Sequence, residues 1–166
     1  SRWEFESCKR IQLPLRGDQD GLTQLFYLRR NVLKTQIIIP DQDSFYAIVT
    51  HSTAFATDNT KQKHIEMFLA ELDDLNSENS VFVAGGDLNS IPPGAPVYDF
   101  CLTDACSGGE YHTRADGMPH KEGSYFNNFD NERTLLLPLY EYNSAIPLSL
   151  ATTDDHLTHS TDSSFP

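Results

Sequence analysis

The sequence predicts a layered α/β fold built as one domain. Three features point there: β-branched and aromatic runs in the first half, a single amphipathic helix, and a short continuous apolar run directly behind it. Strand, helix and buried strand in succession are the pattern of helices packed on a sheet.

Residues 5–15 open as a strand, broken by Pro14 and closed by the turn cluster Gly17-Asp18-Gln19-Asp20-Gly21. Strands are expected over 24–30 and 32–39, and Pro40-Asp41-Gln42-Asp43 reads as a turn into a strand at 45–50. Such close turn spacing favours antiparallel pairing. Asp58-Asn59-Thr60 offers helix caps, and Ile65, Phe68, Leu69, Leu72 and Leu75 recur at helical spacing until Asn76-Ser77-Glu78-Asn79 ends the run. Val81-Phe82-Val83-Ala84 then suits a strand buried on both faces. Beyond Pro92 the pattern loosens. A short helix is expected at 97–102, residues 108–123 are polar and turn-rich, and 135–150 is apolar but cut by Pro138 and Pro147. After Ala151 the chain is almost all Thr, Asp, His and Ser, and neither a repeat nor a linker divides it.

The 166 residues are enough to bury a real core, and 39% hydrophobic with 22% charged residues excludes wholesale disorder, collagen and coiled coil. The longest apolar stretches, 37–39 and 135–137, are too short for a membrane-spanning helix, and no signal peptide opens the residues present. The formal net charge is −12, with no basic run beyond Arg29-Arg30. That argues against strong sequence-independent duplex binding, but a bound cation can still bring in a phosphate ester. Cys8, Cys101 and Cys106 lack metal-site spacing, although Cys101 and Cys106 could pair. The abrupt start at Ser1-Arg2-Trp3 and the loop-like end at Phe165-Pro166 suggest an internal piece, a single incomplete domain over residues 1–166.

The most informative stretch is Gly85-Gly86-Asp87-Leu88-Asn89-Ser90. Asp87 and Asn89, two residues apart at the end of a strand, pair a carboxylate with a carboxamide. That pair is suited to a cation, a water and a phosphate oxygen. The simpler reading is an Asx-type turn. His51 ends the strand before the helix, and two strands joined through one helix are neighbours or near neighbours in a sheet. His51, Asp87 and Asn89 are therefore expected on one rim, where active sites of layered α/β folds lie.

These residues carry a resemblance. Ala47-Ile48-Val49-Thr50-His51, then the helix with Lys61-Gln62 near its start, then residues 81–89 resemble the endonuclease/exonuclease/phosphatase superfamily. Its members are Mg²⁺-dependent phosphoester hydrolases, among them deoxyribonuclease I-like nucleases, apurinic endonucleases, sphingomyelinases and inositol-polyphosphate 5-phosphatases. Ser1-Arg2 and Leu102-Thr103-Asp104-Ala105 are similar to flanking motifs, so the likeness covers most of residues 1–106 in order.

The resemblance implies a four-layer α/β sandwich of the deoxyribonuclease I-like type, seen in part. It implies hydrolysis of a phosphate ester with Mg²⁺ or Mn²⁺, the substrate being nucleic acid, a lipid head group or a sugar phosphate, by a monomer. Asp87 would orient or deprotonate the attacking water next to the metal, Asn89 would stand by the metal and hydrogen-bond the scissile phosphate, and His51 would donate to a phosphoryl oxygen. The family's principal metal Glu falls upstream of Ser1. Its closing Asp-x-hydrophobic and Ser-Asp-His motifs find no match, since Asp154-Asp155-His156 lacks flanking strands. The 166 residues alone are therefore expected to be inactive or nearly so.

Two other classes remain open. One is a non-catalytic acidic module that binds a metal or a partner. The other is a zinc hydrolase using Asp154, Asp155, His156, His159 and Asp162, for which a solvated loop is the simpler reading. His64, beside Lys63, is expected to face water, as are His112 and His120. Trp3 is expected to pack, and Tyr125-Phe126-Asn127-Asn128-Phe129 could form an aromatic substrate lip, with entry into the core the simpler reading.

Overall fold

The computed structural model describes residues 2–41, 43–54, 56–94, 112–113, 119–120 and 134–156. The chain divides into two units, Ser1–Thr53 with Thr60–Asn89, and Ala54–Asn59 with Ser90–Pro166.

In the first unit, β1 (Glu4–Gln12), β2 (Asn31–Ile38), β3 (Phe45–His51) and β4 (Val81–Asp87) form a mixed sheet in that order. β1 and β2 pair antiparallel, with a register shift between Phe5 and Ser7, and β2 pairs antiparallel with β3. β3 and β4 are parallel. A parallel neighbour requires a crossover, and the helix α2 (Thr60–Ser77) lies between the two strands in sequence. The coarse α/β expectation holds: the described residues of this unit form a four-stranded mixed sheet and a long helix.

α2 buries Ile65, Phe68, Leu72 and Leu75, and Leu13, Val32 and Ile48 are buried with them in this unit. Each such side chain contributes roughly 1.5–3 kcal/mol by leaving water. The helix ends in a Schellman turn: Ser80 N–H donates to the Leu75 carbonyl and Asn79 N–H to Asn76, with Asn79 at φ 55°. Glu71 ties α2 to the sheet through Lys34 and through Lys9 at 3.4 Å. Burial pushes the Glu71 carboxyl up, but the two ammonium groups outweigh it and leave it below its ordinary value. A depressed carboxylate stabilises the fold above its unfolded value, and that contribution is lost as pH falls through the folded one. Thermal melting of Glu71→Gln against the native chain should show a deficit at pH 7 that shrinks steadily below the usual glutamate range. A deficit independent of pH would assign Glu71 no electrostatic role.

Four expectations are corrected. Residues 24–30 are not a strand: α1 (Gly21–Phe26) takes 24–26 and residues 27–30 are neither helix nor strand; the helix is capped by Asp20, whose Oδ1 accepts from Leu22 N–H at 2.9 Å and Thr23 N–H at 3.0 Å. α1 is held by its polar side, with Gln24 Nε2 donating to the Arg16 and Gln19 carbonyls, and it turns Leu22, Leu25 and Phe26 to solvent. β4 is not buried on both faces: among the described residues nothing packs on the face that carries Val81 and Val83, and both are exposed. His64 does not face water. It lies on the same helical stripe as Lys61 and Phe68 and is almost fully buried. Trp3 does not pack away but is 43% exposed beside the edge strand β1.

In the second unit, β5 (His112–Thr113) and β6 (Pro119–His120) pair antiparallel, which makes His112 and His120 Cα partners. A 3₁₀ helix covers Leu137–Glu141, with Pro138 in its first turn, and a second one covers Asp154–His156. The helix expected at 97–102, Cys101 and Cys106, residues 102–105 and 125–129, His159 and Asp162 lie outside the described residues. No helix among the described residues is long and apolar enough to cross a membrane.

Candidate active site

The β3–β4 ladder runs in parallel from Phe45↔Val81 to His51↔Asp87, so its last rung joins the two residues of interest. His51 Nε2 lies 3.3 Å from Asp87 Oδ2, with side-chain exposures of 52% and 60%. A pair this exposed contributes little to stability, roughly 0–1 kcal/mol. Its value is access, since an incoming anion or cation can reach both groups.

The rung before it explains the glycine. Gly86 pairs with Thr50 at φ 138°, and a Cβ there would meet the Thr50 carbonyl oxygen at 1.9 Å. Only a residue without a side chain lets the backbone close in this way. Beyond the rung the chain turns sharply. Asp87 Oδ1 accepts from Asn89 N–H at 3.0 Å, and Asn89 takes φ 49°, a left-handed conformation that Asn tolerates. The sequence reading as an Asx-type turn and the reading as a site thus describe the same atoms.

Ser52, wholly buried, holds this turn at three successive residues. Its N–H donates to the Asp87 carbonyl at 2.9 Å, its hydroxyl to the Leu88 carbonyl, and its own carbonyl accepts from Asn89 Nδ2 at 3.0 Å. Asn89 Nδ2 carries two hydrogens, and this bond uses one. Lys61, at the start of α2 and fully buried, donates from Nζ to the Asn89 carbonyl at 2.7 Å.

Behind the rim, His64 Nδ1 accepts from Thr53 N–H at 3.2 Å and Nε2 lies 2.8 Å from the Pro14 carbonyl. An amide donor on one nitrogen and a carbonyl on the other fit the neutral tautomer with its proton on Nε2. Tyr27 joins the same framework, its hydroxyl 3.0 Å from Thr53 Oγ1 and its ring 5.8 Å under the Arg16 guanidinium. Burial pushes the Tyr27 phenol up, but the Thr53 hydrogen bond and the nearby Arg16 and Arg30 charges bring it below its ordinary value.

His51, Asp87 and Asn89 therefore meet at one rim. Asp87 Oδ2 and the Asn89 carboxamide oxygen are hard oxygen donors, the kind a Mg²⁺ ion takes while keeping several waters. Among the described residues no cluster of three or more His, Cys, Asp or Glu forms a ready ligand set. His156 Nδ1 lies 2.9 Å from Thr153 Oγ1 and Asp155 is exposed, while Asp154 is without a described side chain and His159 and Asp162 lie outside the described residues. Sequence reasoning missed Ser52 and His64 as parts of this framework. Adjacency to His51 and the i, i+3 spacing from Lys61 were the available signals. Comparison with family models, with curated proteins and with solved structures returned no match to this chain.

Proposed function

We propose that this chain supplies the catalytic rim of a divalent-metal-dependent phosphoester hydrolase, with His51, Asp87 and Asn89 as its working residues. One observation carries the reading: the imidazole and carboxylate are partners on the last rung of a parallel ladder, 3.3 Å apart and open to solvent. In this reading Asp87 orients the attacking water through Oδ2 and accepts its proton, while its Oδ1 stays with Asn89 N–H. Asn89 offers its second Nδ2 hydrogen to the scissile phosphate. His51 turns its Nε2–H from Asp87 to a phosphoryl oxygen. Asp87 and Asn89 would hold the cation with the Glu that the resemblance places upstream, and the bound ion supplies Lewis-acid neutralisation of phosphoryl charge.

The four-layer sandwich is part of the same proposal. The sheet face opposite α2 carries an apolar trough of about 410 Å³, lined by Phe5, Leu33, Ile37, Ala47, Val49 and Val83. Val49 is 50% and Val83 59% exposed. A second sheet packed there would bury this face and bring its own rim up to His51 and Asp87, which share that face at its end.

The test is turnover of bis(p-nitrophenyl) phosphate by the natural translation product that contains residues 1–166. Activity should vanish with chelator and return with Mg²⁺ or Mn²⁺. Return with Zn²⁺ alone would move the chemistry to the His156 tract. No turnover with any of these ions would leave an acidic binding module as the better account.

A further inference from the structure

We infer that Lys61 is a positioning residue for this site, setting the Asp87–Asn89 turn through the Asn89 carbonyl; the inference rests on the proposed roles of His51, Asp87 and Asn89.

A wholly buried lysine is uncommon, because removing an ammonium from water is costly unless hydrogen bonds replace the hydration. Lys61 is wholly buried near the start of α2, and one of its bonds is the 2.7 Å contact to the Asn89 carbonyl. That carbonyl belongs to the residue whose side chain faces the scissile phosphate in the proposed mechanism. It also belongs to a left-handed residue, a conformation that persists only where its surroundings hold it.

Asn89 is held at three points. Its N–H is bound to Asp87 Oδ1, its carboxamide to the Ser52 carbonyl, and its own carbonyl to Lys61. The first two bonds stay within the strand ends. The third alone links the turn to α2, the element whose apolar stripe is anchored in the core. Lys61 thus transmits the rigidity of the helix to the rim. Its bond to the Asn89 carbonyl is the route by which it acts on the rim.

The test uses Lys61→Met, which keeps the aliphatic stem and removes the ammonium, with Lys61→Arg as the conservative variant, in the natural translation product. Hydrogen exchange at the Asn89 amide should accelerate by about tenfold or more in Lys61→Met, while Phe68 and Leu72 in α2 keep native protection. Lys61→Arg should restore most of the Asn89 protection. Turnover should lose about 10- to 100-fold in kcat, the scale on which misplaced groups reduce rate, with KM within about threefold. If Lys61→Met does not fold, Lys61→Gln carries the same expectations.

Native protection at Asn89 in the neutral variant would overturn the inference. So would protection lost equally along α2, which would make Lys61 a plain core residue. A natural product without phosphodiesterase activity would sink the proposed function, yet the exchange pattern would still decide whether Lys61 holds the turn.

Discussion

On the proposed hydrolase function, Asp87→Asn in the natural translation product is expected to lower metal-dependent phosphodiester turnover by about 10²–10⁴-fold, the usual contribution of a positioned general base, while leaving the melting temperature close to native. The two expectations separate because the substitution is nearly isosteric. A carboxamide oxygen can still accept from Asn89 N–H, so the turn closed by Asp87 Oδ1 survives. The bond to His51 is solvent-exposed, and its loss costs roughly 0–1 kcal/mol. What disappears is the negative charge that would hold the cation and take the proton from water. Steady-state kinetics beside a circular-dichroism melt would check both. Turnover within about threefold of native would remove Asp87 from the chemistry.

Gly86→Ala is expected to destabilise the fold by about 3 kcal/mol or more, well above a typical surface substitution. The new Cβ would stand 1.9 Å from the Thr50 carbonyl oxygen and 2.9 Å from its carbon, both backbone atoms with no flexible end to move aside. The φ of 138° adds strain that an L side chain rarely bears. β3 and β4 must therefore part at the rung directly before His51↔Asp87. For a chain of this length the loss corresponds to a fall of roughly 6–12 °C in Tm. Gly85→Ala is the internal control, since a Cβ there meets nothing within 4 Å. It should stay within about 1 kcal/mol. Equal effects at the two positions would show that close approach at Gly86 is not what matters.

The sequence was most readable where periodicity and topology decide the structure. β2, β3 and α2 lie within a residue or two of their expected bounds, because alternating or helical apolar spacing reports which face is buried. The shared rim of His51 and Asp87 followed from strand–helix–strand order alone. α1 was hidden because Leu25-Phe26-Tyr27-Leu28 is strand-like in composition. The deciding signal was the Asp20 cap, buried in what looked like a plain turn cluster. The exposure of β4 was unreadable for another reason: an apolar run states what a strand can bury, and says nothing of what packs on it. His64 was misread from its charged neighbour Lys63, although helical spacing puts it on the inner stripe. The framework around Asn89 left least trace. Ser52 and Lys61 act on backbone carbonyls, whose directions have no periodic signature.

The placement of the site on an edge strand has a thermodynamic consequence. Among the described residues β4 pairs only with β3, so its C-terminal rung can open without disturbing β1 and β2. Local opening of this kind has its own free energy, smaller than that of global unfolding. It sets the fraction of molecules whose rim is assembled at any moment. A ligand that bridges His51 and Asp87 favours the closed rim, by about 2.7 kcal/mol at a hundred times its Kd. Occupancy and closure of the last β3–β4 rung are then two readings of one equilibrium.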